Sequence, residues 1–310
     1  MRVLPFRSKS ARRPADEVIG RVLDGYSIEV MPRTAAKIED FRALLPEGTR
    51  VYIAHIQGTP IEDMVATAKR ISAEGFAVMP HFPARIIPDV AELARWIDRY
   101  REEAGVTEAL LLGGSPRTPD GAFDSSMQLM ETGLFQKAGF TRLHIAGHPE
   151  GNRDIDPERG TAEVDRALRW KQNWAREAGI DMAIVTQFAF ESDGVTAWGR
   201  RLRKAGISLP IHLGVAGPAK LQTMIKFAIA CGVGPSLGVL QKRAKDVRKL
   251  VLPFEPDDLL AGVAGAVDDD GAPLFEQMHL FPLGGIRASA EYARRYGAGG
   301  ARAERERQSR

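Results

Sequence analysis

The sequence predicts a single eight-stranded β/α barrel, and three observations support this prediction. The chain has 310 residues, which is the ordinary size of one such barrel. Short apolar runs alternate with amphipathic stretches along the chain, as expected for strands that are each followed by a helix. Most of the runs are continuously apolar rather than alternating, which is typical of parallel strands covered on both faces.

The eight apolar runs are the predicted strands of the barrel. They cover residues 27–31, 51–56, 76–82, 108–114, 142–147, 182–188, 210–215 and 278–283.

The stretches between the runs are predicted helices. In the stretch 90–105, apolar residues recur at a spacing that forms one buried stripe. The helices predicted for 163–179, 195–206 and 220–232 follow the same scheme, and each ends in glycine, a common helix C-cap. Extra helices are expected around 247–266, before the last strand.

A doubly wound open sheet is the alternative architecture. Such a sheet normally carries a glycine fingerprint directly after its first strand, where the backbone approaches a dinucleotide. Here the first strand is followed by residues 31–41, MPRTAAKIEDF, which contain neither that fingerprint nor a phosphate-binding loop. The barrel is therefore the favoured prediction.

Composition sets limits on organisation and partners. We expect a basic arm at 1–18, a catalytic barrel at 19–298 and a disordered tail at 299–310. The net charge of +3 is too small to indicate a nucleic-acid partner, and no apolar run is long enough for a membrane span. Cys231 is the single cysteine, which excludes an internal disulfide and favours a reducing, cytoplasmic location. Assembly into a homo-oligomer is compatible with the sequence.

Glu29 is the most unusual residue of the first strand, because it stands between Ile28 and Val30. Burying a carboxylate in an apolar strand disfavours its charged form, so its pKa is expected to rise. A carboxyl with a raised pKa suits a general acid near neutral pH. The alternative is a structural ion pair with a nearby Arg or Lys.

The histidines and one amide are the other polar groups at predicted strand ends. All six histidines fall in or directly after a strand run, at positions 55, 81, 144, 148, 212 and 279. Metal binding is one interpretation, but no His-x-His pair occurs, so hydrogen bonding to a ligand or backbone is favoured and no metal is expected. Gln187 suits a heteroaromatic ligand, although a hydrogen-bonded core amide is the alternative.

Glycines at strand ends indicate close approach of a ligand to the backbone. They lie at 113, 114, 147, 151, 214 and 217. A flat cofactor lying across the mouth of the barrel would need such an approach.

Five short motifs, in order along the chain, resemble one known family. They are 27–33 (SIEVMPR), 80–81 (PH), 111–116 (LLGGSP), 146–150 (AGHPE) and 186–190 (TQFAF). Together they resemble the methylenetetrahydrofolate reductases, which are flavin enzymes on a β/α barrel, and the likeness extends from Ser27 to Leu283.

The resemblance implies FAD as the cofactor and NADH or NADPH as the co-substrate. It implies interconversion of 5,10-methylenetetrahydrofolate and 5-methyltetrahydrofolate in one-carbon metabolism and methionine biosynthesis. Glu29 matches the acid that opens the folate ring, and Gln187, Phe190 and Phe227 match substrate-binding residues. The implied cofactor neighbours are His55, His81, Leu111, Leu112, Gly113, Gly114, Phe123, Ser125, Ala146, His148, Lys171 and Phe281.

The chain departs from the family pattern at four of these positions. Gly114 replaces an aspartate, Leu112 an arginine, and His148 and Phe123 each a tyrosine. Without the aspartate, the anionic reduced flavin is less disfavoured, so the reduction potential is expected to rise and the oxidative direction to be favoured. Two other functions stay open, a flavin-free pterin- or folate-binding transferase and a non-catalytic relative that binds folate or flavin.

Overall fold

Eight parallel strands close into one barrel in a computed structural model that describes residues 14–158, 160–230, 238 and 253–298. The strands follow one another around the barrel in chain order, and the first pairs with both the second and the eighth. The predicted (β/α)8 barrel is therefore confirmed.

The strands match the eight predicted runs to within a few residues. They are β1 (Ser27–Val30), β2 (Arg50–Ile53), β3 (Ala77–Pro83), β4 (Glu108–Leu112), β5 (Arg142–Gly147), β6 (Ile184–Ala189), β7 (Ile211–Ala216) and β8 (Gln277–Phe281). Four strands, β1, β2, β4 and β8, end one to three residues earlier than predicted. As a result, His55 lies beyond β2, and Gly113 and Gly114 lie in the loop after β4.

The helices surround the barrel. They are α1 (Pro14–Leu23), α2 (Pro32–Ala35), α3 (Ile61–Ala73), α4 (Val90–Ala104), α5 (Ser126–Glu131), α6 (Leu134–Lys137), α7 (Ala162–Ala178), α8 (Ser192–Lys204), α9 (Leu221–Ala230), α10 (Asp257–Val263) and α11 (Ile286–Arg295). As predicted, α4 and α7 each end at a glycine, Gly105 and Gly179, with φ of 64°.

Three predictions concern the chain ends and the stretch before β8. Helix α1 begins at Pro14, so the arm predicted for 1–18 overlaps a helix. One extra helix, α10, lies inside the predicted stretch 247–266. Cys231, residues 247–252 and the tail 299–310 lie outside the described residues. Within the described ranges, no helix is both long enough and apolar enough to cross a membrane.

The interior of the barrel contains many polar side chains. Alternate strand residues point inward, and barrels of this kind usually fill that space with branched aliphatic side chains. At the amino ends of the strands, the Glu108 carboxylate forms salt bridges with the guanidinium groups of Arg50 and Arg142, at N–O distances of 2.6 and 3.0 Å. Histidines, Tyr52 and Glu29 occupy much of the space toward the carboxyl ends. A small apolar cluster of Met79, Leu110 and Val185 packs with Tyr52.

Candidate functional site

The Glu29 carboxylate lies between two imidazoles inside the barrel. Its Oε2 is 3.3 Å from Nε2 of His81 on β3 and 3.9 Å from Nε2 of His279 on β8. The glutamate side chain retains 19% exposure, whereas the imidazoles retain 9% and 0%. The strand order explains the arrangement, because β8 pairs directly with β1 and β3 lies one strand beyond β2. Glu29 is therefore the exposed member of a mostly buried acid–imidazole cluster.

The predicted rise in the pKa of Glu29 is wrong. Burial does act to raise it, but hydrogen bonds from His279 and His81, together with the charges of these two imidazoles, lower the pKa to about 2. Sequence reasoning supplied the apolar neighbours along β1 and missed the polar neighbours on other strands. The carboxyl group is ionised at neutral pH, so it holds no proton of its own to donate there.

Ser27 orients His279 from the same strand that carries Glu29. Its Oγ lies 2.9 Å from Nδ1 of His279, and both groups are buried. A hydroxyl that donates to Nδ1 leaves the Nε2 proton directed toward Glu29. Burial lowers the pKa of His279 despite the carboxylate beside it. His279 is therefore suited to serve as a neutral donor.

Tyr52 connects this cluster to a second pair of histidines. Its ring packs edge-on against His279 with centroids 4.4 Å apart, and its hydroxyl lies 2.6 Å from Nδ1 of His144. His144 in turn packs against His212, whose Nε2 lies 2.9 Å from the half-exposed Glu276. Burial holds the pKa of His144 well below its usual range. These side chains give the barrel a polar core that supports the Glu29 cluster from below.

A second polar group lies at the ends of β5 and β6. His148 follows β5 and hydrogen-bonds to the Gln187 side chain, and Lys171 of α7 lies close enough to act on its charge. Burial and Lys171 together lower the pKa of His148 to about 4. Burial alone lowers the pKa of Lys171 to about 8. The structure thus brings together three of the residues predicted for the site.

An irregularity in β6 determines where Gln187 points. The pairing of β6 with β7 shifts register between Val185 and Phe188, as in a β-bulge. The Thr186 hydroxyl donates to the Gln187 carbonyl at 2.7 Å and accepts from the Gly214 N–H at 2.8 Å. Bulges commonly re-aim a side chain next to a binding site. Here the bulge places the Gln187 amide beside His148.

Aromatic side chains line one side of the mouth. Phe188 packs edge-on against Phe190 and Phe281, with ring centroids 5.6 Å apart in both pairs. Phe281 also packs edge-on against His279, with ring centroids 4.8 Å apart. Phe190, predicted to bind substrate, is only 5% exposed and belongs to this packed cluster. Phe227 on α9 keeps 37% exposure, and its assignment to substrate binding stays a prediction.

The loop after β4 is fixed by Arg85, a residue that sequence reasoning did not select. Its guanidinium donates to the Asp124 carbonyl and carboxylate, both at 3.0 Å, and to the Pro116 carbonyl at 3.1 Å. Its backbone N–H donates to the Gly113 carbonyl at 2.9 Å. The guanidinium therefore determines the path of the loop that carries Gly113 and Gly114.

Several predicted flavin neighbours point their side chains into protein. His55 stacks on Trp96 of α4 and its Nε2 bonds to the Thr59 carbonyl at 3.0 Å. Leu111 and Phe123 are 0% and 5% exposed and belong to the core between barrel and helices. The side chains of these three residues face protein, so any contact with a flavin would come from their backbone, and their assignment as cofactor neighbours stays a prediction. Side chains that keep partial exposure are those of Leu112, Ser125, Ala146, His148 and Phe281.

Three of the glycines assigned to cofactor approach are instead required by neighbouring protein atoms. A Cβ at Gly147 would lie 2.4 Å from Ile184 Cγ2, one at Gly214 would lie 2.4 Å from the Thr186 carbonyl oxygen, and one at Gly217 would lie 2.2 Å from Ser289 Oγ. At Gly113 the nearest atom would be 4.0 Å away. Gly113 is the glycine that leaves room for a ligand.

The residues that sequence reasoning missed had only partial signals. Tyr52 and Ser27 occupy inward positions of predicted strands, and His279 was noted without a partner. The closure of β8 onto β1, which brings Ser27 beside His279, is a property of the assembled barrel. Within the described ranges, no group of three His, Cys, Asp or Glu side chains is arranged to hold a metal ion.

Comparisons with known proteins assign no family to this chain. No protein-family model matches the chain. Yersinia pestis DHPS with a pterine-sulfa conjugate aligns with a TM-score of 0.44 at 12% identity, covering 93% of this chain and 95% of that one. A mandelate racemase/muconate lactonizing enzyme from Bordetella bronchiseptica RB50 aligns with a TM-score of 0.40 at 12% identity, covering 87% and 56%. Likenesses this distant carry no argument about function.

Proposed function

We propose that this protein is an oxidoreductase that interconverts 5,10-methylenetetrahydrofolate and 5-methyltetrahydrofolate, using FAD and NADH or NADPH. The observation that carries the proposal is the Glu29 carboxylate, ionised and partly exposed, held by His81 and His279 at the mouth of the barrel. Opening of the folate ring produces a cationic iminium ion. A fixed anion in a site of low dielectric stabilises such a cation more strongly than water does.

The other half of the site supports binding of a pterin. The Gln187 amide can both donate and accept, which matches the amide-like edge of a pterin ring. His148 bonds to Gln187 and so holds the amide in place. Phe227, exposed on α9, offers a face on which a ring can stack. These residues bind and orient the substrate.

The residues at the mouth also fit a flavin dinucleotide in part. Lys171 is buried, and none of the described carboxylates forms a salt bridge with it, so an anionic group such as a phosphate would compensate its charge. Gly113 leaves its backbone approachable, and Leu112 and Ala146 face the mouth. When bound, FAD supplies the hydride carrier between the nicotinamide and the folate.

Gly114 bears on the preferred direction of the reaction. A carboxylate near the flavin disfavours its anionic reduced form, so a glycine here is expected to raise the reduction potential and favour oxidation of the methyl compound. Potentiometry compares the wild type with Gly114→Asp and Gly113→Asp. A potential that stays the same or rises in both variants contradicts the hypothesis.

A flavin-free reaction on a folate or pterin is the second candidate. It is favoured by the side chains of His55, Leu111 and Phe123, which face protein where flavin neighbours were expected. A yellow protein that bleaches with NADH or NADPH supports the oxidoreductase. A colourless protein that does not take up FAD supports the second candidate, and a yellow protein that never bleaches indicates a non-catalytic relative.

Glu29→Gln tests the assignment of the carboxylate. The variant keeps the size of the side chain and removes its charge, so the folate half-reaction is expected to fall by about 10²–10⁴-fold. Reduction of the flavin by the nicotinamide, followed by stopped-flow absorbance, is expected to continue. If both half-reactions survive, Glu29 has no role in the chemistry.

A further inference from the structure

Among the described residues, the Glu29 carboxylate is the acceptor that faces Nε2 of His81. Oε2 of Glu29 and Nε2 of His81 are 3.3 Å apart, and Nε2 is buried. The side chain is 9% exposed, next to a glutamate that is 19% exposed. A buried imidazole nitrogen that faces a carboxylate is well placed to give it a proton, since a short movement closes the gap.

His279 is less suitable for this task than His81. Its Nε2 is 3.9 Å from the same oxygen, its side chain is 0% exposed, and its Nδ1 is engaged by Ser27 at 2.9 Å. It therefore has little access to solvent from which to recover a proton. His81, in the carboxyl half of β3, lies nearer to the mouth.

We propose that His81 is the proton-carrying partner of Glu29. The imidazolium N–H bond of His81 breaks as an O–H bond forms on Glu29 Oε2. That O–H bond then breaks as an N–H bond forms on the folate nitrogen whose bond to the methylene carbon is cleaved. His81 is left neutral and recovers its proton from water at the mouth. His81 thus acts through Glu29 rather than on the substrate itself, and this chemical step rests on the proposed function.

Four titratable groups face or adjoin the His81 imidazole. Glu29 on β1 faces its Nε2 at 3.3 Å, and His279 on β8 approaches the same carboxylate oxygen at 3.9 Å. His55, after β2, interacts with it electrostatically. The Tyr52 ring on β2 packs edge-on against it at 6.4 Å. Among these four groups, Glu29 is the one that can accept a proton directly from Nε2.

The first test follows the histidines by NMR in the ligand-free full-length protein. Ring ¹³C and ¹⁵N signals are assigned with single His→Gln variants and compared between the wild type and Glu29→Gln at the same pH. Removing the anion is expected to change the Nε2 signal of His81, because this atom faces the carboxylate at 3.3 Å. His212, whose Nε2 lies 2.9 Å from Glu276 instead, is the internal control and keeps its signals. A His81 Nε2 signal that is the same in both proteins overturns the proposal.

The second test separates the proton step from the rest of the reaction. His81→Gln keeps a hydrogen-bond donor but cannot cycle a proton, so the folate half-reaction is expected to slow by about 10²-fold and lose its pH dependence near neutrality. His212→Gln removes a buried imidazole outside the pair and is expected to keep the shape of the wild-type profile. An unchanged profile in His81→Gln overturns the proposal.

The two tests distinguish failure of the proton pair from failure of the proposed function. A wild type without folate activity refutes the proposed function, while the NMR comparison still decides whether the His81 ring senses the Glu29 carboxylate. A His81 signal that responds to Glu29→Gln, in an enzyme whose His81→Gln profile is normal, refutes the proton role alone.

Discussion

Replacement of Gly114 tests how the loop after β4 is built. Gly114 has φ of +97°, a backbone conformation that side-chain-bearing residues rarely adopt. A Cβ there would also lie 3.1 Å from Cβ of Pro83. The preceding Gly113 lies outside this φ range, and a Cβ added to it would have its nearest neighbour 4.0 Å away. A side chain is therefore expected to be tolerated at Gly113 and to strain the backbone at Gly114.

The expected effects on stability have opposite signs. At Gly114, the left-handed conformation costs about 1–2 kcal/mol for any L side chain, and the close contact with Pro83 brings the total to about 2–3 kcal/mol. At Gly113, alanine reduces the freedom of the unfolded chain without strain and stabilises by about 0.4–1 kcal/mol. Gly113→Ala is thus a matched control for Gly114→Ala.

Urea unfolding followed by circular dichroism measures both effects. The m-value must stay constant between variants for the midpoints to be compared as free energies. Equal losses in the two alanine variants, or a Gly114→Ala variant as stable as the wild type, would refute the argument. The outcome also matters for potentiometry, because Gly113→Asp can carry a carboxylate to this loop with less strain than Gly114→Asp.

Three further predictions concern the polar interior. Tyr52→Phe is expected to reduce the unfolding free energy by about 1–3 kcal/mol, measured in urea, because it leaves Nδ1 of the buried His144 without its 2.6 Å partner. Glu29 has its pKa lowered to about 2 in the folded chain, so its stabilisation is present above pH 4.5 and is lost as the pH falls toward 2. Acid titration of the unfolding free energy is expected to show a steeper loss, by up to about 3 kcal/mol, in the wild type than in Glu29→Gln. Lys171 has its pKa lowered to about 8, so the free-energy cost of burying its charge is present below that pH and fades toward pH 10.5. Lys171→Met is therefore expected to raise the unfolding free energy of the ligand-free protein at pH 7 by about 1–3 kcal/mol, measured in urea. An unchanged or lower unfolding free energy contradicts an uncompensated charge at Lys171.

The barrel could be predicted because its signal is local. Each strand is a short apolar run, and helices such as α4 show their buried stripe and terminal glycine within one stretch of sequence. Strand ends were less certain. His55 was assigned to a strand that in fact ends at Ile53, because the apolar run continues through Ala54 and Ile56 without a turn signal.

The site could be predicted in its residues but not in its electrostatics. Glu29, Gln187 and Lys171 were selected, and all three lie near imidazoles. The direction of the Glu29 pKa was wrong, because it depends on side chains from β3 and β8 that are more than 50 and 240 positions away in sequence. The glycines raise the same difficulty. A Cβ at Gly147 would meet Ile184, and only the assembled barrel determines the position of Ile184.

The low pKa of Glu29 changes what its role must be. A carboxylic acid buried against apolar walls would carry its own proton at neutral pH, whereas a carboxylate held by two imidazoles is a fixed negative charge. Such a charge suits a cationic substrate, and it attracts a proton only when a neighbour supplies one. Since His279 is fully buried and bound to Ser27, the supply has to come through His81, which lies closer to Glu29 and nearer to the mouth. Acid chemistry at Glu29 is therefore expected to require the imidazole of His81.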